Sequence, residues 1–217
     1  MKFSILTLFP PMFDGPLSYS IIKRAENKKI IQIEKINIRD FADDKYRTVD
    51  DHPYGGGVGM IMKVDVLDRA ISQTKCNKKQ KCRERIILMD PKGVRFTQKE
   101  TIRLSKFNHL IIICGHYEGV DERITNFIDE KISVGDFILT GGEIGSMIIV
   151  DSITRVLPGV LTKGAVDTES VPPNYLEYPQ YTRPDIYKKL KVPDTIISGN
   201  HGKIEKWRND HAVSTIK

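Results

Sequence analysis

The stretch VGDFILTGGEI, Val134–Ile144, decides how this chain is read, together with CGHYEGVDER, Cys114–Arg123. The two are built alike. A short β-branched and aliphatic run stops at small or turn-forming residues, and a helical pattern with an acidic first turn follows. In an open α/β sheet such strand ends leave backbone N–H and C=O groups free in a crevice, where ligands usually bind. Glycine permits close backbone approach and positive φ, so Gly115, Gly141 and Gly142 suit a wall that holds a flat ligand by main chain. One glycine turn alone is an ordinary turn. Here Met89-Asp90-Pro91-Lys92-Gly93 supplies a third, and together they point to one ligand crevice.

Outward from that stretch, the 217 residues suit one large domain, or one domain with a small appendage. Apolar residues make up 40% and charged residues 29%, enough to bury a core. The net charge of +6 leans toward a polyanionic partner without identifying one. Cys76, Cys82 and Cys114 form no even framework, and no Cys/His group has zinc-finger spacing, so a reducing, cytoplasmic setting is expected. The opening MKFSILTLFPP carries an apolar run cut short by Pro10-Pro11; it reads as a first strand rather than a signal peptide, and no later run approaches membrane-span length.

Strand and helix patterns alternate along the first 160 or so residues. Strands are expected at Phe3–Phe9, Ile31–Ile38, Ile86–Met89, Leu110–Cys114 and within Val134–Glu143. Helices are expected over Ser18–Lys29 and Lys63–Gln73, from Thr97 to Phe107, along the Val120, Ile124, Phe127 and Ile128 stripe, and through Ile149, Ile153 and Val156 up to Pro158-Gly159. Thr97 and Glu100 fit a capping box. Such alternation implies βαβ units and a parallel sheet. Thr162–Asn174, poor in large aliphatics and containing Pro172-Pro173, reads as a linker. The aromatic and basic tail, Tyr175–Lys217, is expected to carry a helix capped by Asn200 and running through Trp207.

Gly55-Gly56-Gly57 and Gly59 are followed by no Lys-Ser/Thr, so they form no Walker A loop, and no G-x-G-x-x-G follows a strand. A mobile lid is the more economical reading, with Arg47, Asp50, Asp51, His52 and Tyr54 crowded beside it. The basic run Lys75–Arg85 reads as a solvated loop. Arg155, near the end of its helix, complements the helix dipole and is expected beside the strand-end crevice. Asp167, Glu169 and Glu177 supply carboxylates in and after the linker.

Six collinear segments resemble one family, the bacterial tRNA (guanine-37-N1)-methyltransferases of the SPOUT class. They are RTVDDHPYGGGVGM (Arg47–Met60), CGHYEGVDER (Cys114–Arg123), VGDFILTGGE (Val134–Glu143), DSITRVLPGVL (Asp151–Leu161), YPQYTRP (Tyr178–Pro184) and SGNHGKIEKWR (Ser198–Arg208). The resemblance implies an α/β fold whose parallel sheet carries a C-terminal deep trefoil knot, which topology rules alone would have excluded. It implies a methyltransferase domain over residues 1–161, a linker over 162–176 and, over 177–217, a small helical tRNA-binding C-terminal domain that is short here, because the family chain continues for several more turns.

It further implies S-adenosylmethionine as methyl donor, held through Gly115 and the run Val134, Gly135, Asp136, Phe137, Ile138 and Leu139. Met89, Pro91, Tyr117, Gly141 and Gly142 are expected to line the same pocket, and Glu118 to stand near the methyl group, linked to a Mg2+ requirement. The implied reaction is methyl transfer to N1 of guanosine 37 of tRNA, in a homodimer whose active sites are shared between subunits; another SPOUT methyltransferase acting on a different RNA nucleoside is the alternative. Arg155 matches the arginine assigned to the charge developing on O6. Where the family usually has Asp-Ser this chain has Glu169-Ser170, in a segment one residue shorter, so Glu169 is expected as general base with Asp167 as runner-up.

Overall fold

The structure, a computed structural model, describes residues 1–76, 82–162, 175–176 and 178–214. The chain divides into two compact units, Met1–Thr162 and Lys163–Lys217.

The first unit is built on apolar runs too continuous for a half-solvated sheet. In β1 (Lys2–Thr7) the residues from Phe3 to Thr7 are all buried. β2 (Gln32–Asn37) follows α1 (Ser20–Asn27); β3 (Asp50–Asp51) and β4 (Ile61–Met62) form a two-residue antiparallel pair; α2 (Val64–Thr74) leads to β5 (Glu84–Arg95). After α3 (Gln98–Leu104) come β6 (His109–Cys114), β7 (Glu130–Ser133) and α4 (Glu143–Val156). Five strands form one parallel sheet in the order β2-β1-β6-β5-β7.

Side chains alternate across that sheet, as the pleat requires. Phe3, Ile5, Leu110, Ile112 and Cys114 pack with residues of α1, α3 and α4 on one face. Leu6, Ile111 and Ile113 pack with Val66, Leu67, Ala70 and Ile71 of α2 on the other. Every central strand is therefore buried on both faces, which accounts for runs such as Leu110–Cys114.

Four expectations are corrected. The strand read as ending at Met89 resumes: β5 shifts register against β7 between Met89 and Val94, and Asp90–Gly93 bulges out of the ladder. A Cβ at Gly93 would lie 2.4 Å from the Ile132 nitrogen, so only glycine lets that bulge close. Val134–Gly142 is a loop rather than a strand, because Ser133 Oγ donates to Gly135 O at 3.0 Å and accepts from Gly135 N–H at 3.3 Å, turning the chain away from the ladder. The stripe from Val120 to Ile128 forms only a short 3-10 helix, Glu122–Asn126, opened by the Asp121 side chain accepting from Arg123 N–H. The capping box does not form: Thr97 is the N-cap without a side-chain bond, and Glu100 accepts instead from Arg103.

Cys76, after α2, and Cys82, before β5, are joined by a disulfide that the cysteine spacing did not foretell; Cys114 is free and buried. No helix among the described residues is long and apolar enough to cross a membrane.

In the second unit β8 (Tyr175–Leu176) pairs with β11 (Val213–Ser214), and β9 (Ile186–Tyr187) with β10 (Leu190–Lys191). The turn residues Lys188 and Lys189 both take positive φ, which matches the hairpin to the strand twist. Two helices follow, α5 (Asp194–Ile197) and α6 (His201–His211). Asn200 caps α6 as expected, its Oδ1 accepting from Lys203 N–H at 3.1 Å. Trp207 stacks on His211 and meets Tyr178 and Tyr181 edge-on, so these four residues form a small cluster.

Candidate active site

The carboxyl ends of β6 and β7 and the bulge within β5 meet at one cavity of about 520 Å³. That is where an open α/β sheet presents unpaired main chain, and the volume suits a ligand of nucleoside size or more. Three segments wall it: the Asp90–Gly93 bulge, the turn after Cys114, and the loop from Ser133 to Gly142. The last two are stitched together by Gly142 N–H donating to Gly115 O at 2.9 Å.

Close approach dictates the glycines here. A Cβ at Gly142 would stand 2.7 Å from the Cys114 Cα and 2.9 Å from the Met89 Cβ. At Gly141 it would stand 2.3 Å from His116 Nε2. Tyr117, at the apex of the turn, takes a φ of 60°, a conformation uncommon for an aromatic residue.

Of the residues expected to hold a methyl donor, Met89, Pro91, Gly115, Tyr117, Glu118, Val134, Gly135, Phe137, Ile138, Leu139, Gly141 and Gly142 all line this cavity. Asp136 does not line it; its side chain is 91% exposed and lies 3.8 Å from Arg95. Arg155 is also elsewhere, which corrects its expected position beside the crevice. The cavity lies against the first turn of α4, through Gly141, Gly142 and Gly145, whereas Arg155 is exposed in the last turn. At 1.5 Å per residue, the twelve residues from Glu143 put it about 18 Å along the helix. Glu169 and Asp167 lie outside the described residues.

The glycine segment read as a lid is rooted at the same place. Glu118 N–H donates to Met60 O at 3.1 Å, and Met62 N–H to Gly119 O at 3.0 Å. Gly59 takes a φ of 92°, and a Cβ there would sit 2.3 Å from Glu118 Cγ. Gly55 to Gly57 are exposed and all at positive φ.

Sequence reasoning missed a buried polar chain beneath the cavity floor. Glu143 is 1% exposed at the start of α4. Its Oε1 accepts from Thr7 Oγ1 at 2.7 Å, and its Oε2 stands 3.2 Å from His116 Nε2. The sequence marks Glu143 only as an acidic first-turn residue. His116 was visible in the CGHYEGVDER motif, but no spacing rule connects it to Thr7.

The electrostatics are uneven. Lys131 pairs with Glu122 at 2.8 Å and Asp90 at 3.7 Å, and the hydrogen bond it donates to Glu122 raises its pKa above the ordinary lysine value. Glu118 has no ion-pair partner among the described residues, which leaves one uncompensated carboxylate facing the cavity. Burial and the nearby Glu143 charge push the Cys114 thiol far above its usual range, so it stays protonated and is no nucleophile.

Residues 1–217 match the family described as tRNA (Guanine-1)-methyltransferase TrmD. The chain belongs to this family. A protein of Bacillus subtilis (strain 168) named tRNA (guanine-N(1)-)-methyltransferase is 50% identical over 215 residues, 98% of this chain and 88% of that protein. Proteins of the same name from Dictyoglomus turgidum and Geobacter sulfurreducens are 48% and 47% identical, over 98% and 100% of this chain and 85% and 88% of theirs. Membership in the tRNA (guanine-1)-methyltransferase family gives the cavity a chemical context: a methyl donor must bind beside a nucleobase.

The cavity fits such a donor. Met89, Pro91, Ile138 and Leu139 offer apolar surface, free main chain offers hydrogen bonds to a purine and a carboxylate, and Glu118 offers the opposite charge to a sulfonium. A magnesium ion held by one carboxylate and waters is also compatible with Glu118. The described residues contain no further cluster of oxygen ligands at the cavity.

Proposed function

We infer that this chain, a tRNA (guanine-N1)-methyltransferase by family, transfers the methyl group of S-adenosylmethionine to N1 of guanosine 37, beside the anticodon. The observation that carries the reading is the convergence of CGHYEGVDER and VGDFILTGGE, with the Asp90–Gly93 bulge, on a single main-chain-walled cavity. We take the return of the chain from β7 past Gly115 into α4 to be the trefoil knot of the SPOUT class.

When bound, S-adenosylmethionine supplies an electrophilic methyl group on a sulfonium. The chain's own residues do the rest. Main-chain groups of Gly115, Val134, Gly135 and Phe137–Leu139 would hold the donor, and Glu118 would supply the charge opposite to a sulfonium and would hold Mg2+. Guanine N1 carries a proton at neutral pH and cannot attack until a base removes it; we assign that base to the Glu169 carboxylate. Negative charge then spreads onto O6, where the Arg155 guanidinium stabilises it.

Because Arg155 lies at the far end of α4 from its own cavity, a complete site requires the Arg155 of a second copy. We therefore propose a homodimer with active sites shared across the interface. Phe137 and Ile138, apolar and exposed at the cavity rim, are surface that the second copy covers. The remaining partner is tRNA, gripped in part by the basic C-terminal unit, and the compartment is the cytoplasm, where tRNA is modified.

The test is methyl transfer from labelled S-adenosylmethionine to unmodified tRNA bearing G36-G37, beside a transcript with A at position 37. Methylation of the first only, lost in Glu169→Gln, is the expected result. Equal methylation of both transcripts would move the target to another nucleoside. Full activity in Glu169→Gln would move the base to Asp167.

A further inference from the structure

At the amino ends of the same strands, away from the cavity, a second set of donor groups converges. The parallel register places Glu84 at the start of β5 beside His109 at the start of β6. Cys76 follows α2 and Cys82 precedes β5. One sulfur from each cysteine, a carboxylate oxygen of Glu84 and Nδ1 of His109 all lie within 4.8 Å of one another. We propose that, with the disulfide reduced, Cys76, Cys82, His109 and Glu84 hold a zinc ion that ties the connection between α2 and β5 to the amino end of the sheet.

A disulfide alone accounts for the two sulfurs but not for the other two groups. The His109 side chain is 3% exposed, yet its Nδ1 faces the Cys76 sulfur at 3.3 Å and the Glu84 carboxylate at 3.0 Å. The same Glu84 oxygen accepts from Cys76 N–H at 2.7 Å, which fixes the carboxylate in place. Ligand atoms around a tetrahedral zinc stand roughly 3.3–3.8 Å apart, given metal–ligand bonds of about 2.0–2.3 Å. The His109 and Glu84 atoms need only small adjustments to meet that geometry, and rotation of the cysteine side chains supplies the rest.

The far side of the ring is prepared for ligation. His109 Nε2 lies 2.9 Å from Ser4 Oγ, and Ser4 Oγ donates to Glu34 Oε2 at 3.1 Å. With the serine proton on Glu34, His109 donates Nε2–H to Ser4. In that tautomer the ring presents the Nδ1 lone pair to the sulfur and the carboxylate, where a metal ion takes the place of the proton that otherwise bridges Nδ1 and Glu84. Electron-pair donors facing one another in a buried site call for a cation between them. A hydrogen-bonded second ring nitrogen is the usual means of orienting a metal-bound histidine.

The chemistry balances without an unnamed reactant. Reduction of the Cys76–Cys82 bond by a cellular dithiol takes two electrons and two protons and yields two thiols. Binding Zn2+ displaces those two protons and leaves two thiolates on the metal. Two sulfurs, one nitrogen and one oxygen form a donor set that suits zinc better than the hard ions Mg2+ and Ca2+. No spacing rule finds the site, because His109 lies 27 residues beyond Cys82 and reaches it through sheet pairing.

The decisive experiment uses the full chain, reduced with a phosphine, stripped with a chelator and titrated with Co2+ alone. Expected are tetrahedral ligand-field bands in the visible and thiolate charge-transfer bands in the near ultraviolet, bleached on adding Zn2+. Cys82→Ser should weaken the charge-transfer bands, and His109→Ala should weaken metal binding at least tenfold. Ser4→Ala should weaken it about 10–100-fold while keeping the bands. A six-coordinate cobalt spectrum without charge transfer, unchanged in Cys82→Ser, would overturn the proposal. So would a Cys76–Cys82 disulfide that persists in thiol-blocked lysates, with no zinc in the protein isolated from them.

Discussion

His116 Nε2 stands 3.2 Å from Oε2 of Glu143, and the other oxygen of that carboxylate is held by Thr7 at 2.7 Å. Three elements distant in sequence, the end of β1, the turn after β6 and the start of α4, are thereby locked under one cavity. Glu143→Ala should leave the Thr7 hydroxyl proton without its acceptor, although Thr7 Oγ1 still accepts from Phe9 N–H at 2.9 Å, and destabilise the fold by about 1–3 kcal/mol. Thr7→Val should also destabilise, because it removes both the donor to Glu143 and the acceptor of Phe9 N–H, while leaving Glu143 to His116. Thermal unfolding ranks the two, and calorimetric titration with S-adenosylmethionine should show weaker binding in Glu143→Ala. Equal melting temperatures for Glu143→Ala and the parent would show that the carboxylate does not organise the floor.

Gly142→Ala isolates the close approach of the backbone. The added Cβ meets main-chain atoms of Cys114 and Gly115 at 2.7 and 3.0 Å, and these cannot swing aside as a side-chain tip can. The expected cost is about 1–3 kcal/mol of stability, with cofactor affinity lowered at least tenfold. Gly15→Ala is the control, since its Cβ would meet nothing within 4 Å and its φ is not in the left-handed region. It should behave as the parent in both measurements.

The legible parts of the chain were those with one dominant local signal. Leu110–Cys114 and Phe3–Phe9 read as buried strands because nearly every position is apolar or small; both faces are covered over Leu110–Cys114 and Phe3–Thr7, where the first strand ends two residues earlier than expected. Asn200 read as a cap because its side chain acts three residues away. Features settled by distant partners were misread. Val134–Leu139 has strand-forming composition, but Ser133 captures Gly135 and the segment becomes cavity wall. The Val120–Ile128 stripe is cut short because Asp129 must return to the sheet, where its side chain accepts from Ile86 N–H at 2.7 Å. Glu143 meets Thr7 across 136 residues, and His109 meets Cys76 across 33; neither pairing leaves a periodic trace.

The separation of Arg155 from the cavity makes a prediction about mixed dimers. Arg155→Ala should abolish methyl transfer while leaving S-adenosylmethionine binding nearly intact, because the side chain does not line the cavity. Leu139→Lys should block the cavity itself. Neither homodimer turns over, yet in a mixture each heterodimer pairs one intact cavity with one intact Arg155. Recovery should approach about a quarter of parental activity, from random assortment into symmetric dimers with one working site per heterodimer. No recovery after co-refolding, with heterodimers demonstrated, would place each active site within a single chain.

Away from the cavity, Glu130 in β7 contributes to the response to acid. Burial alone would raise its pKa, but hydrogen bonds from Arg103 and Arg85 outweigh that and hold it below the usual glutamate value. Arg85 Nε donates to Glu130 Oε1 at 2.7 Å, and Arg103 reaches both carboxylate oxygens. A folded-state pKa below the unfolded one adds stability that is fully present above the unfolded value, about 4.3. That stability is lost as pH falls from there through the lower folded-state pKa. Glu130→Gln should therefore destabilise the chain at neutral pH, by roughly 1–3 kcal/mol given the partly exposed arginines. The deficit should shrink as pH falls below about 4.3, where the parent carboxylate is itself protonated. Denaturant midpoints of both proteins across that range test the sign: midpoints that diverge as pH falls would mean that Glu130 is not stabilised as a carboxylate.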